Sequence, residues 1–324
     1  MSDWRSERDA ALLVLEREAN EAVRTEAADA LCDLAYEVPA PVRSEFAPAV
    51  QRMLVDQQPE VRCAGLALAA EILPAPEAKE VLIRHLEGQP ARVRVEAAGR
   101  LADLARPDAR GALAAALQDE SFAVRFEAAR GMVALHHAAG LDVLLEALQD
   151  GDLRFRAAGA LAQLGSKDAI APLKKAFHGW FLPAFDRTQL AGALAQLGEA
   201  EGVEHLFKRA GKTWSMDRAM AIELLGEVRA PGAKERLTAI LADKADSCRG
   251  AAARALGRLC DPSVTPLLVA ALDEPGLTDD VRLDVAEGLL RLGVPDLRAK
   301  LEAQHFDDPD SRAELEAMLR EPPP

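Results

Sequence analysis

The chain has 324 residues, 49% hydrophobic and 28% charged, with a formal charge of −14. Phosphate backbones and anionic lipid are held through Lys and Arg contacts, so this balance weighs against nucleic acid or a membrane surface as partner. Aromatics make up only 4%, and Ala and Leu, both good helix formers, dominate the apolar set. Strands prefer β-branched and aromatic residues, so an all-α chain is expected.

The N-terminus, Met1 to Asp9, is charged and lacks the apolar h-region of a secretory leader. No run of about 18 uncharged apolar residues follows anywhere, so no membrane span is expected and the chain reads as soluble and cytoplasmic. Cys32, Cys63, Cys248 and Cys260 are scattered without a Cys-x-x-Cys pair, and each reads as a small thiol within a helical pattern.

From residue 23 onward one frame recurs. Val23-Arg24 is followed by Ala27-Ala28, Leu31 and Leu34; Val93-Arg94 by Ala97-Ala98, Leu101 and Leu104; Val124-Arg125 by Ala128-Ala129, Met132 and Leu135. Leu153-Arg154 continues it, and the arginines of the full set are Arg24, Arg62, Arg94, Arg125, Arg154, Arg187, Arg218, Arg249, Arg282 and a degenerate Arg312. Their spacings are 38, 32, 31, 29, 33, 31, 31, 33 and 30 residues. Apolar positions three and four apart mark each frame as one amphipathic helix. Between frames lies a second amphipathic segment, such as Ala112-Leu113 to Ala116-Leu117 or Pro266-Leu267-Leu268 to Leu272. Turns such as Gln118-Asp119-Glu120 join the two, with Asp suited to capping the next helix. Each unit is therefore helix A, turn, helix B, and then an exit such as Leu164-Gly165. The expectation is a single array over residues 1–324, closed by a capping repeat at about 295–320.

The motif D-x5-V-R-x-x-A-A-x-A-L-x-x-L-G resembles the HEAT repeat in its short, phycobilisome-lyase-like form. Asp56/Arg62, Asp119/Arg125 and Asp243/Arg249 keep its Asp-to-Arg offset, whereas Asp150/Arg154, Asp186/Arg187 and Asp217/Arg218 do not. The resemblance implies a right-handed α-solenoid of about ten two-helix repeats, an α/α superhelix. It also implies that the arginines form an Asp-Arg ladder stitching each repeat to the next, against the other reading of a row of ligand-binding cations. It says little about function, since such arrays serve as scaffolds, carriers and enzymes.

Projecting helix B at 100° per residue turns the third, seventh and tenth frame positions toward a concave groove. The third positions Val95, Phe126 and Phe155 would form an apolar trough flanked by Arg130 and Arg156, a candidate partner site unless curvature buries them. A second candidate is the long turn of the sixth unit, Phe177-His178-Gly179-Trp180-Phe181-Leu182-Pro183-Ala184-Phe185, which holds four of the thirteen aromatics. With Trp214 one repeat later and Phe122 two repeats earlier, Trp180, Phe181 and Phe185 could anchor a partner at the turn edge. Folding back to plug the core is the competing reading.

Chemistry-bearing motifs are sparse. Gly211-Lys212-Thr213 lacks the earlier Gly of a Walker A loop, because Leu206 stands there. The histidines show no His-x3-His or His-Glu-x-x-His spacing, and the His-Glu dyads of HEAT-type deoxyhypusine hydroxylases do not occur. A HEAT-like DNA glycosylase would need a basic groove. No catalytic residue, metal or cofactor is therefore expected. The expected function is a non-catalytic scaffold binding another protein or peptide, and its rival is an enzyme or chromophore carrier similar to the bilin lyases.

Overall fold

The computed structural model describes residues 4–293 and 297–320. Residues 295 and 296 of the expected capping repeat, like both chain ends, lie outside the described residues. Twenty α-helices run through those residues, with no strand among them. They fall into two compact units, Met1–Asp150 and Gly151–Pro324.

The first unit holds α1 (Trp4–Arg17), α2 (Glu21–Glu37), α3 (Ala47–Leu54), α4 (Pro59–Ile72), α5 (Ala75–Arg84), α6 (Ala91–Leu104), α7 (Arg110–Ala116), α8 (Phe122–Ala134) and α9 (Leu141–Ala147). The second holds α10 (Arg154–Leu164), α11 (Ile170–Phe177), α12 (Ala184–Gln196), α13 (Ala200–Ala210), α14 (Arg218–Glu227), α15 (Ala233–Ala242), α16 (Arg249–Arg258), α17 (Thr265–Leu272), α18 (Asp279–Arg291), α19 (Leu297–Glu302) and α20 (Pro309–Arg320). Each of the ten even-numbered helices carries a repeat arginine within its first four residues. Those are the helices B of the sequence frame.

Packing follows the frame. Helices B stack in series, α2–α4–α6–α8 in the first unit and α10–α12–α14–α16–α18–α20 in the second, and each lies on the helix A of its own pair within its unit. The paired alanines and following leucines that define the frame, among them Ala97, Ala98 and Leu101, or Ala157, Ala158 and Leu161, are fully buried. In the second unit the helices approach so closely that only glycine fits. A Cβ on Gly257 would lie 2.5 Å from the Gly288 carbonyl oxygen, and one on Gly226 would lie 2.7 Å from Cα of Ala255.

The arginines hold this stack together through two sets of bonds. Within their own repeats, most of these guanidinium groups donate to carbonyls of the turn before helix B or the end of helix A. Arg24 reaches Glu18 and Ala19, Arg62 reaches Asp56 and Gln57, Arg125 reaches Asp119 and Glu120, Arg218 reaches Ala210, and Arg249 reaches Leu241. These carbonyls lack partners inside a helix, and a cation is favoured at that end of the helix dipole. Toward the next repeat, several of the same groups pair with an acid of the following turn or helix start. Arg24 meets Asp56 at 3.3 Å, Arg94 meets Asp119 at 2.8 Å, Arg154 meets Asp186 at 3.1 Å, Arg218 meets Asp246 at 2.6 Å and Arg249 meets Glu274 at 2.5 Å. The ladder implied by the resemblance is thus present at these five arginines, whereas Arg62, Arg125 and Arg187 bond backbone carbonyls and make no such acid pair among the described residues. Its acids do not always sit at the motif's offset, since Arg218 pairs with Asp246 and not with Asp243.

The turn acids also fold their own loops. Asp56, Asp119 and Asp246 each accept the backbone N–H two residues on, from Gln58, Ser121 and Cys248. Bonds from Arg94 hold the Asp119 carboxyl below the ordinary carboxylate range, and those from Arg218 do the same for Asp246.

Because folding depresses these two carboxyls, their contribution is present above the unfolded carboxylate pKa of about 4 and is lost as pH falls below it. Thermal midpoints should therefore stay level from neutral pH to about 5 and drop toward pH 2, with Asp246→Asn flattening that drop. Arg218→Ala should cost about 3–5 kcal/mol in denaturant unfolding, because it strands a buried carboxylate and a helix end. Arg92→Ala removes an exposed pair with Glu60 and should cost no more than about 1 kcal/mol.

Candidate partner-binding site

The first expected site, the apolar trough, does not form as drawn. Phe126 is fully buried, so it offers no surface to a partner. Val95 is half-buried, and Arg130 is engaged by Asp103 at 3.0 Å and by Glu127. Phe155, 40% exposed, and the exposed Arg156 belong to the second unit. The projection treated helix B as having one packed face, whereas it packs against its own helix A and against helices B on both sides. Third positions Thr188, Gly250 and Leu283 are buried for that reason, as are the tenth positions Gly226 and Gly257. In the later repeats of the second unit the seventh positions Glu223, Arg254 and Glu287 carry charge instead. Glu223 on α14 bonds Arg254 and Arg258 on α16, and Arg254 also bonds Asp284 on α18.

The second expected site is exposed. Helix α11 ends at Phe177 and α12 starts at Ala184, so the turn proper is residues 178–183, with Phe185 on the first turn of α12. Trp180 is 91% exposed, Phe181 100% and Phe185 43%. In the next connection, residues 211–217, Trp214 is 99% exposed and Met216 86%. Of the aromatics near the sixth turn only Phe177 plugs the core: it is buried, with its ring edge-on to His205 of α13 at 5.3 Å. Phe122 belongs to the first unit, half-buried beneath the Arg125 guanidinium at 5.3 Å.

Both exposed turns are braced from beneath. Arg187 donates to the Phe177 and Gly179 carbonyls at 3.0 and 3.1 Å, fixing the first turn at its base. Beneath the second, the buried Asp217 accepts from Arg209 and Ser215, and from Thr188 of α12 at 2.5 Å, tying this connection to α12. Burial pushes the Asp217 carboxyl up, but these donors outweigh it and hold the group well below the carboxylate range. His205 also lies within hydrogen-bonding reach of Thr188. Its pKa is lowered by burial and then by Arg209, so the ring is neutral near pH 7.

Phe181 takes a left-handed backbone, φ 58°, which costs an L-residue about 1–2 kcal/mol. Its side chain recovers nothing by burial. Sequence reasoning did not single out Met216, although it lies two residues from Trp214 in the same turn. It also passed over Lys175 and Lys208 and weighed Lys212 only as part of a phosphate loop, although all three are exposed at the ends of α11 and α13 or in the second turn. The whole-chain charge hid these lysines.

The family model for HEAT repeats matches residues 80–154, 113–180 and 203–290, together more than half of the chain. The chain belongs to the HEAT-repeat family. None of the curated proteins matches it in sequence. Among solved structures, the complex of CpcE and CpcF of phycocyanin lyase from Nostoc is 20% identical over 74% of this chain and 94% of that one, with a TM-score of 0.48. An engineered protein is 21% identical over 99% and 98%, TM-score 0.42, and human deoxyhypusine hydroxylase is 21% identical over 78% and 98%, TM-score 0.34. At these identities the likeness concerns the HEAT fold alone. Among the described residues no His/Cys/Asp/Glu cluster has the arrangement to hold a metal, and no helix is long and apolar enough to cross a membrane. Burial pushes the Cys32 and Cys63 thiols up to about 11, which leaves them as thiols at neutral pH.

Trp4, the remaining tryptophan, stacks on Phe46 at 5.7 Å. In a Trp4→Phe background, acrylamide should quench the emission of Trp180 and Trp214 nearly as strongly as free tryptophan. Phe181→Gly should leave stability unchanged or raise it by up to about 1 kcal/mol, read by denaturant unfolding.

Proposed function

We propose that this protein is a non-catalytic HEAT-repeat scaffold that captures another protein through the aromatic edge of its second unit. Trp180, Phe181, Phe185 and Trp214 serve as anchors, joined by Met216. The carrying observation is that Trp180, Phe181 and Trp214 stand in water on two consecutive connections braced by Arg187 and Asp217.

Burying a large apolar side chain is worth roughly 1.5–3 kcal/mol, so folding forgoes several kcal/mol by leaving these rings outside. A braced backbone presenting exposed aromatics suits a partner that supplies the burial, and Trp and Tyr are frequent anchors of that kind. Phe155 and Arg156 are secondary contacts on this reading, and Val95 and Arg130 of the first unit are no more than peripheral. The rival reading, an enzyme or chromophore carrier, calls for polar groups converging in a pocket, and the exposed rings offer an open surface.

Trp180→Ser/Trp214→Ser should fold with an unchanged thermal midpoint yet retain at least about tenfold less partner in a native pull-down, equivalent to roughly 1.4 kcal/mol or more. Equal retention of the same partners by wild type and variant would overturn the reading.

A further inference from the structure

The charge around the aromatic edge departs from that of the rest of the chain. In the second unit, the later connections from helix A to helix B are acidic: Asp243 and Asp246 between α15 and α16, Asp273 and Glu274 between α17 and α18, Asp307 and Asp308 between α19 and α20. The turn at 178–183 has no acid, and the one at 211–217 has only Asp217, which is buried and bonded to Arg209. Exposed lysines take the acids' place, with Lys175 in the last turn of α11, Lys208 in that of α13 and Lys212 beside Trp214. No ion pair forms at these three among the described residues.

The acids nearest the edge are mostly occupied. Asp186 pairs with Arg154, while Glu199 and Glu201 share Lys174 at 2.6 and 3.2 Å, with His178 also on Glu201. Glu204, one turn before Lys208 on α13, is exposed and makes no ion pair among the described residues. The window therefore combines uncommitted lysines with exposed rings, and carboxylates continue along the same unit. A partner strand carrying negative charge is attracted to this window and repelled by the acidic turns beyond it, which fixes where it docks.

We infer that the edge formed by residues 178–185 and 211–216 docks an acidic peptide segment bearing at least one aromatic or branched apolar residue. This rests on the edge being the partner surface. The apolar residue packs among Trp180, Phe181, Trp214 and Met216, and its carboxylates face Lys175, Lys208 and Lys212. A flat anionic bilayer is disfavoured because it would meet the acidic turns as well as the lysines, and a nucleic acid strand is repelled by the same turns.

The test is selection of a displayed random library of peptides about twelve residues long on the full chain, with counter-selection on Trp180→Ser/Trp214→Ser. Enriched peptides are then synthesised and titrated by tryptophan emission in the Trp4→Phe background. The expected result is enrichment of net-negative peptides with an apolar residue. Their binding should weaken about tenfold on Lys208→Glu/Lys212→Glu, a surface change whose fold is checked by circular dichroism, and should weaken as salt is raised. Enriched peptides that depend on the tryptophans but are neutral or basic would overturn the acidic-segment inference and leave the edge intact as the partner surface. A library yielding no peptide that distinguishes wild type from the double Ser variant would overturn both. Tighter binding to phosphatidylcholine vesicles containing about 30% phosphatidylserine, or to a short single-stranded oligonucleotide, would overturn the inference in favour of that class.

Discussion

The arginine at the start of each helix B is the interaction on which the architecture rests. A two-helix unit cannot bury its Ala/Leu stripe alone, so it needs both a fixed turn and a fixed neighbour. One guanidinium can supply both, because its planar fork carries donors in several directions. One edge closes the turn of its own repeat through backbone carbonyls, and where an acid follows, the other edge holds the next repeat. The acids complete the arrangement by closing their own loops through backbone N–H groups. The spacing of about 31 residues is thus the chain length needed to bring one guanidinium to the next turn.

Much of this was legible from the residues. The arginine spacing located all ten helices B, and the Ala-Ala-Leu stripe identified the packed face correctly. Paired alanines such as Ala97 and Ala98 signal close helix contact without knowledge of the neighbour, and the Asp-rich turns indicated where chains reverse. The failures concern surfaces with more than one neighbour. A helical projection of one isolated helix put Phe126 in the groove, and along the second unit it missed that neighbouring helices B claim third positions such as Gly250 and tenth positions such as Gly257. Gly226 and Gly257 look like groove walls in the sequence but are contact points where two backbones meet.

The aromatic turn shows the opposite limit. Its length and composition were visible, but whether Trp180 and Phe181 would fold inward depended on whether the core left a gap. Phe177 fills that space against His205, and the others are left outside. The lysines beside them were invisible to a whole-chain charge of −14, because a sum over 324 residues erases a window of a few turns. Local charge becomes readable only when the fold shows which residues share an edge.

The ladder also changes character toward the C-terminus. Arg249 still meets a carboxylate in the following turn, Glu274, but Arg282 meets the uncharged amide oxygen of Gln304, and Arg312 reaches the carbonyls of Glu302 and Gln304. A sequence of rungs joined only to adjacent rungs opens most readily where the coupling weakens. The second unit's last arginine rung is consequently uncharged, and its last helix pair leans on contacts outside the ladder: Lys300 meets Asp273 at 2.6 Å, and the Asp279 carboxylate accepts the backbone N–H groups of Asp307 and Asp308.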